Sequence, residues 1–170
     1  NIGAEGQILI GGIATAAVMI YCGNAMPTWL ILVIAFAASC AAGAMWGLIP
    51  AAFKARFGTN ETLFTLMMNY VAIQLTSFFV ATWENPFGSN TVGIINQQTK
   101  AGWFPPVFGQ QYMLNIIIVV ALTVFMYIYL RYSKQGYEIS VVGESERTAR
   151  YIGINVKKVI KRTMMISGAI

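Results

Sequence analysis

TWLILVIAFAASCAAGAMWGLI, residues 28–49, runs for 22 residues without a single charge. As a helix it would be about 33 Å long, enough to cross a hydrocarbon core about 30 Å thick. The stretch therefore predicts a transmembrane helix and an all-α, membrane-embedded fold. Within it Ala35, Ser39, Gly43 and Gly47 recur at every fourth position. A ladder of small residues along one face lets another helix come close, so these four are read as helix-packing positions. Pro50 then ends or kinks the helix, because it lacks an N–H and its ring crowds the preceding turn.

Working outward, Lys54 and Arg56 place residues 51–59 on the cytoplasmic side, where basic residues of membrane proteins concentrate. Asn60, Glu61 and Thr62 suit a helix start with an acid in its first turn, opening a span over 61–83. Trp83 closes that span at the outer interface. Residues 84–111 read as an irregular outer segment, with Pro86, Gly88, Gly93 and Gly102 and only Lys100 for positive charge. A further span covers 112–132, and another helix starts at Thr163. Upstream, the apolar run predicts a span over 8–22, with an outer turn at Gly23, Asn24 and Pro27. That run is short for a full crossing. Either its helix begins further upstream or NIGAEGQ, residues 1–7, is unwound backbone inside the membrane. An ordinary loop, with Glu5 favouring the helix N-terminus, is the alternative.

Between the last two spans lies a polar island, KQGYEISVVGESERTARYIGINVKKVIKR, residues 134–162. With its edge it holds Arg131, Lys134, Arg147, Arg150, Lys157, Lys158, Lys161 and Arg162, eight of the eleven basic residues. This makes 133–162 a cytoplasmic loop. Within it residues 145–152 predict a short helix ending at Gly153, a residue suited to a helix C-terminus. A short charged helix slung between two spans is a docking element.

Composition agrees. The chain is 57% apolar and 10% charged, with mean hydropathy +0.63, against about 25% charged for a soluble domain. Its net charge of +5 flanks the spans and does not interleave with aromatics, so orientation in the bilayer explains it and nucleic acid does not. Cys22 and Cys40 form no metal-type spacing and read as apolar filler. Asn1 and Ile170 both fall within continuing patterns, as expected for a piece of a longer protein.

Catalysis fares poorly. The chain has no His and no Asp, which removes Ser-His and Cys-His dyads, His-containing metal sites and paired aspartates. No phosphate-loop motif is present. Binding, conduction or assembly remains, without cofactor or metal. Glu61, Thr65, Asn69 and Thr76 fall near one helical face. They form either a permeation path with Asn69 near its middle or a set of interhelical hydrogen bonds. Glu5 and Gln7 either line a wet cavity or belong to the loop before the first helix.

NIGAEGQ at the entrance of a span, GTNETLFTLMMNYVA at 58–72 and GYEISVVGESERTARYIGINVKK at 136–158 occur in this order. Together they resemble the inner-membrane permease subunits of bacterial ABC importers, in the nucleoside and simple-sugar branch. In that superfamily a late cytoplasmic loop carries an E-A-A-x-x-x-G pattern. Arg147, Thr148 and Ala149 followed by Gly153 occupy its register, with Arg147 where the pattern has Glu. The resemblance implies a polytopic helix bundle that is part of a larger, non-enzymatic permease of the bacterial cytoplasmic membrane. It implies ATP-binding cassette ATPase subunits as partners, coupled through Glu144, Arg147, Ala149, Arg150 and Gly153. It also implies a second permease chain and an extracytoplasmic substrate-binding lipoprotein seated on the outer loops. Glu5, Gln7, Thr65 and Asn69 are the residues expected along the substrate path. A secondary transporter or channel would instead need Glu5 or Glu61 for ion coupling. A non-transporting scaffold would use the island for some other protein.

Overall fold

The computed structural model describes residues 2–23, 25–107, 109, 110 and 112–170. Asn1 of NIGAEGQ, Asn24 of the expected outer turn and Gln111 at the end of the outer segment lie outside the described residues. The fold is all-α: α1 (Ala4–Cys22), α2 (Thr28–Phe57), α3 (Glu61–Thr82), α4 (Met113–Tyr132), α5 (Lys134–Glu144), α6 (Glu146–Tyr151) and α7 (Val156–Ala169). The first four are long and apolar enough to cross a membrane. The chain divides into two compact units, one running to Trp103 and including Met164–Ile170, the other Phe104–Thr163.

In the first unit α1 packs against both α2 and α3, which touch each other much less. Ile31, Ala35, Ala51, Thr65 and Ala72 form its buried centre. Small residues dominate because helices embedded in lipid gain by close backbone approach more than by burying bulk. Two points that the sequence left open are decided by the structure. α1 begins at Ala4, four residues before the apolar run, so most of NIGAEGQ is neither loop nor unwound strand. α2 runs through Pro50 to Phe57 and stops only at Gly58, whose left-handed backbone (φ 67°) lets its N–H donate to the Lys54 carbonyl at 2.9 Å. A proline inside a helix costs about 3 kcal/mol. Here Pro50, Ala51 and Ala55 are all buried, so tertiary packing surrounds the helix where the proline interrupts its hydrogen bonds.

At the other end of this unit, Tyr21 and Trp83 join the ends of α1 and α3 edge to face, and the indole N–H donates to the Tyr21 hydroxyl at 3.1 Å. The segment after α3 is irregular but well bonded. The Glu84 carboxylate accepts from the N–H groups of Gly88 and Asn90. The Asn96 amide donates to the carbonyls of Met19 (2.8 Å) and Ala101 (3.1 Å), pinning the loop to the end of α1.

The second unit holds α4, α5, α6 and the start of α7. No residue of α4 is buried. The island is mostly helical. Ser133 caps α5, its hydroxyl accepting from Gly136 N–H at 2.9 Å, and Ser145 caps α6 by accepting from Thr148 N–H at 3.3 Å. After α6, Ile154 N–H donates to the Ala149 carbonyl (2.9 Å) and Gly153 N–H to that of Arg150 (3.1 Å). This pair of bonds closes a helix end around a left-handed residue, and Gly153 supplies it at φ 84°. The last helix begins at Val156, not at Thr163. Asn155 caps it, accepting from Lys158 N–H at 3.1 Å, and the lysines that follow are good helix formers that sit comfortably in water.

Candidate functional site

The N-terminus of α1 meets the middle of α3 in the first unit. The first turn of any α-helix leaves backbone N–H groups without partners. The N-cap of α1 is Gly3, which has no side chain to satisfy them. Asn69 does so from the neighbouring helix. Its Oδ1 accepts from the Gly6 N–H at 3.0 Å, and its Nδ2 donates to the Ile2 carbonyl at 2.9 Å. One turn earlier, the Thr65 hydroxyl accepts from the Ile2 N–H at 3.3 Å while donating within its own helix to Glu61 and Thr62. Thr65 and Asn69 are both buried. Gly6 is required at the crossing: a Cβ there would lie 2.8 Å from Asn69 Oδ1 and 3.1 Å from Trp46 Nε1.

Of the other expected path residues, Gln7 is buried and Glu5 is exposed. Positions two apart on a helix differ by about 200°, which puts Glu5 and Gln7 on opposite sides of α1. Gln7 lines a cavity of about 350 Å³ with Gly11, Ser39 and Ser167. That is the lower end of the size range of small-molecule sites. Its polar groups are an amide and hydroxyls, and no ionisable side chain lines it. Thr65, Asn69 and Gln7 are thus brought together around one segment. Glu61 and Thr76, on the same face of α3, have separate engagements. Glu61 pairs with Lys54 across the α2–α3 turn at 2.5 Å, and the Thr76 hydroxyl donates to the Ala72 carbonyl.

The small-residue ladder of α2 lies against both α1 and the end of α7. A Cβ on Gly43 would collide with the Gly168 carbonyl, and one on Gly168 with that of Gly43. At Gly47 a Cβ would come within 2.6 Å of the Met164 carbonyl. Ser39 touches Gly11, and Ala35 is buried. Gly168 was not visible as a partner from sequence, since it stands alone in its run. A single glycine carries no periodic signal.

In the second unit, α6 turns Arg147 and Arg150 outward and leaves Tyr151 92% exposed, while Ala149 is fully buried beneath them. Glu146 and Arg150 form a surface pair at 3.5 Å. Glu144 is exposed at the end of α5, and Gly153 closes α6. What sequence reading missed is α5 itself. Its Ser133 cap is the one signal that could have found it. Among the described residues no group of three His, Cys, Asp or Glu converges on a point where a metal could be held.

Comparison with known proteins adds the wider context. A family model described as "Branched-chain amino acid transport system / permease component" matches residues 1–170. The chain is 34% identical to the guanosine ABC transporter permease protein NupP of Bacillus subtilis, over 99% of its own length and 49% of that protein. It is 29% identical to the glucose ABC transporter permease protein TsgB13 of Haloferax volcanii, over 99% of this chain and 47% of the relative. With the nucleoside ABC transporter permease protein NupB of Lactococcus lactis it shares 26% identity, over 100% and 49%. The chain therefore spans about half the length of the curated relatives it matches. No solved structure matches it.

Proposed function

The chain belongs to the permease-component family of branched-chain amino acid transport systems, and on that premise we propose that it is part of an ATP-driven importer for a nucleoside or simple sugar in the cytoplasmic membrane. The observation that carries the substrate class is the cavity at Gln7, which has amide and hydroxyl groups but no charged side chain. An amino acid zwitterion would leave two charges unpaired there, at a cost of several kcal/mol. A neutral, hydroxyl-rich molecule would not. The relatives named for guanosine, nucleoside and glucose transport support the same class.

In this reading Gln7 faces the substrate path and Thr65 and Asn69 hold the segment that carries it. Glu5, exposed on the opposite side of α1, stands away from this cavity. The chain performs no chemistry. A separate cassette ATPase receives α6, with Glu144, Arg147, Arg150 and Tyr151 at the contact and Ala149 and Gly153 shaping the helix. A second permease chain completes the path, and a substrate-binding lipoprotein delivers cargo to the outer segment.

The test is uptake by the intact transporter in proteoliposomes. Wild type should import guanosine or glucose only with ATP, with leucine as the zwitterionic comparison. Tyr151→Ala, exposed and structurally free, should abolish uptake and weaken ATPase copurification without loss of membrane insertion. Uptake without ATP would replace the reading with a secondary transporter or channel. Preferred uptake of leucine would overturn the substrate class.

A further inference from the structure

The second unit contains a cleft that the transport reading does not use. It has a volume of about 380 Å³ and is lined by Lys134, Glu138, Lys158 and Arg162, with Ile152 and Val159 on its apolar flank. Three cations therefore face one carboxylate. That carboxylate is already engaged, since Arg162 Nη2 donates to Glu138 Oε2 at 2.9 Å. Arg162 Nε is buried and has no hydrogen-bond acceptor. Among the described residues neither Lys134 nor Lys158 forms an ion pair. A partly enclosed cleft thus holds surplus positive charge, backed by a buried guanidinium N–H that has no acceptor.

Lys134 is the second residue after Tyr132, where the membrane-crossing helix α4 ends. This places the cleft where the chain leaves the bilayer. Orientation of the spans needs only a count of basic residues near their ends. It does not need three of them to converge on a cavity with an apolar wall. We propose that this cleft binds the phosphate headgroup of an anionic phospholipid. Lys134 and Lys158 hold the phosphate oxygens by charge-assisted hydrogen bonds, the Arg162 guanidinium adds positive charge behind them, and Ile152 and Val159 cover the glycerol end of the acyl chains. The proposal does not depend on what is transported.

The experiment is native mass spectrometry of the intact permease, equilibrated with mixed phosphatidylglycerol and phosphatidylcholine. Wild type should retain phosphatidylglycerol selectively. Lys134→Ala and Lys158→Ala should each lower that retention roughly fivefold, the effect of one basic side chain near a lipid surface. Lys157→Ala serves as the control, because Lys157 is exposed on the same helix and does not line the cleft. An equal loss in Lys157→Ala would overturn the site in favour of diffuse surface charge. Displacement of the lipid by inorganic phosphate would overturn it in favour of a free-anion site. Unchanged retention in the double variant Lys134→Ala, Lys158→Ala would also overturn it, as would loss of a copurifying protein with no lipid preference at any stage.

Discussion

Asn69 Oδ1 accepts the backbone N–H of Gly6 at 3.0 Å, so one helix caps the first turn of another across 63 residues of sequence. The bond replaces a side chain that Gly3 cannot provide. Removing the acceptor leaves a buried N–H unpaired, which costs about 1–3 kcal/mol. Asn69→Leu should therefore lower Tm of the intact permease by a few degrees. Tyr70→Leu, one residue on and 65% exposed, should leave it unchanged. Thermal melting in detergent distinguishes the two, and equal behaviour would count against the capping role.

Gly43 and Gly168 meet backbone to backbone, with no room for a side chain on either. Gly43→Val should prevent α2 from seating against the end of α7 and reduce the folded yield of the membrane protein severely. Gly12→Ala is the contrast, since nothing lies within 4 Å of a Cβ there. Replacing that helical glycine should stabilise by about 0.8–1 kcal/mol through helix propensity. Fluorescence-detected size exclusion after a temperature ramp reads both variants.

Gly153 holds the left-handed position that ends α6 (φ 84°). Alanine there should cost about 1–2 kcal/mol in local stability. The damage should be confined to α6 and the turn into α7, so hydrogen exchange should quicken at Ile154 N–H and Gly153 N–H while α1–α3 stay protected. Gly143→Ala in α5, where a Cβ meets open space, should not quicken exchange at those amides.

The irregular segment after α3 should loosen without global unfolding in Asn96→Ala. That change deletes the donors to Met19 and Ala101 carbonyls, each bond contributing about 0.5–1.5 kcal/mol. Limited proteolysis should cut residues 84–103 faster than in wild type, while Tm of the helical part holds within a degree or so. A large fall in Tm would show that the loop is integral to the helix packing.

Much of this architecture was legible in the sequence. An uncharged 22-residue run can only be buried in lipid or in a very large core, so α2 announced itself. The helix start at Asn60 and the stop at Gly153 follow from local backbone chemistry, which needs no distant partner. The island's split into α5, α6 and an early α7 was less visible, because charge dominates its composition and masks helical propensity.

What the sequence determined by itself was the long apolar runs, the clustering of basic residues and the lack of any His or Asp. Only the tertiary structure decided what the polar residues touch. Periodicity could place Thr65 and Asn69 on one face but not say that Ile2 and Gly6 would meet them, and it could not pair Gly43 with Gly168. Spacing along a helix is a local property, written in a few consecutive residues. Which backbone amide arrives opposite a given side chain depends on how segments far apart in sequence pack together, and that information exists only once they have done so.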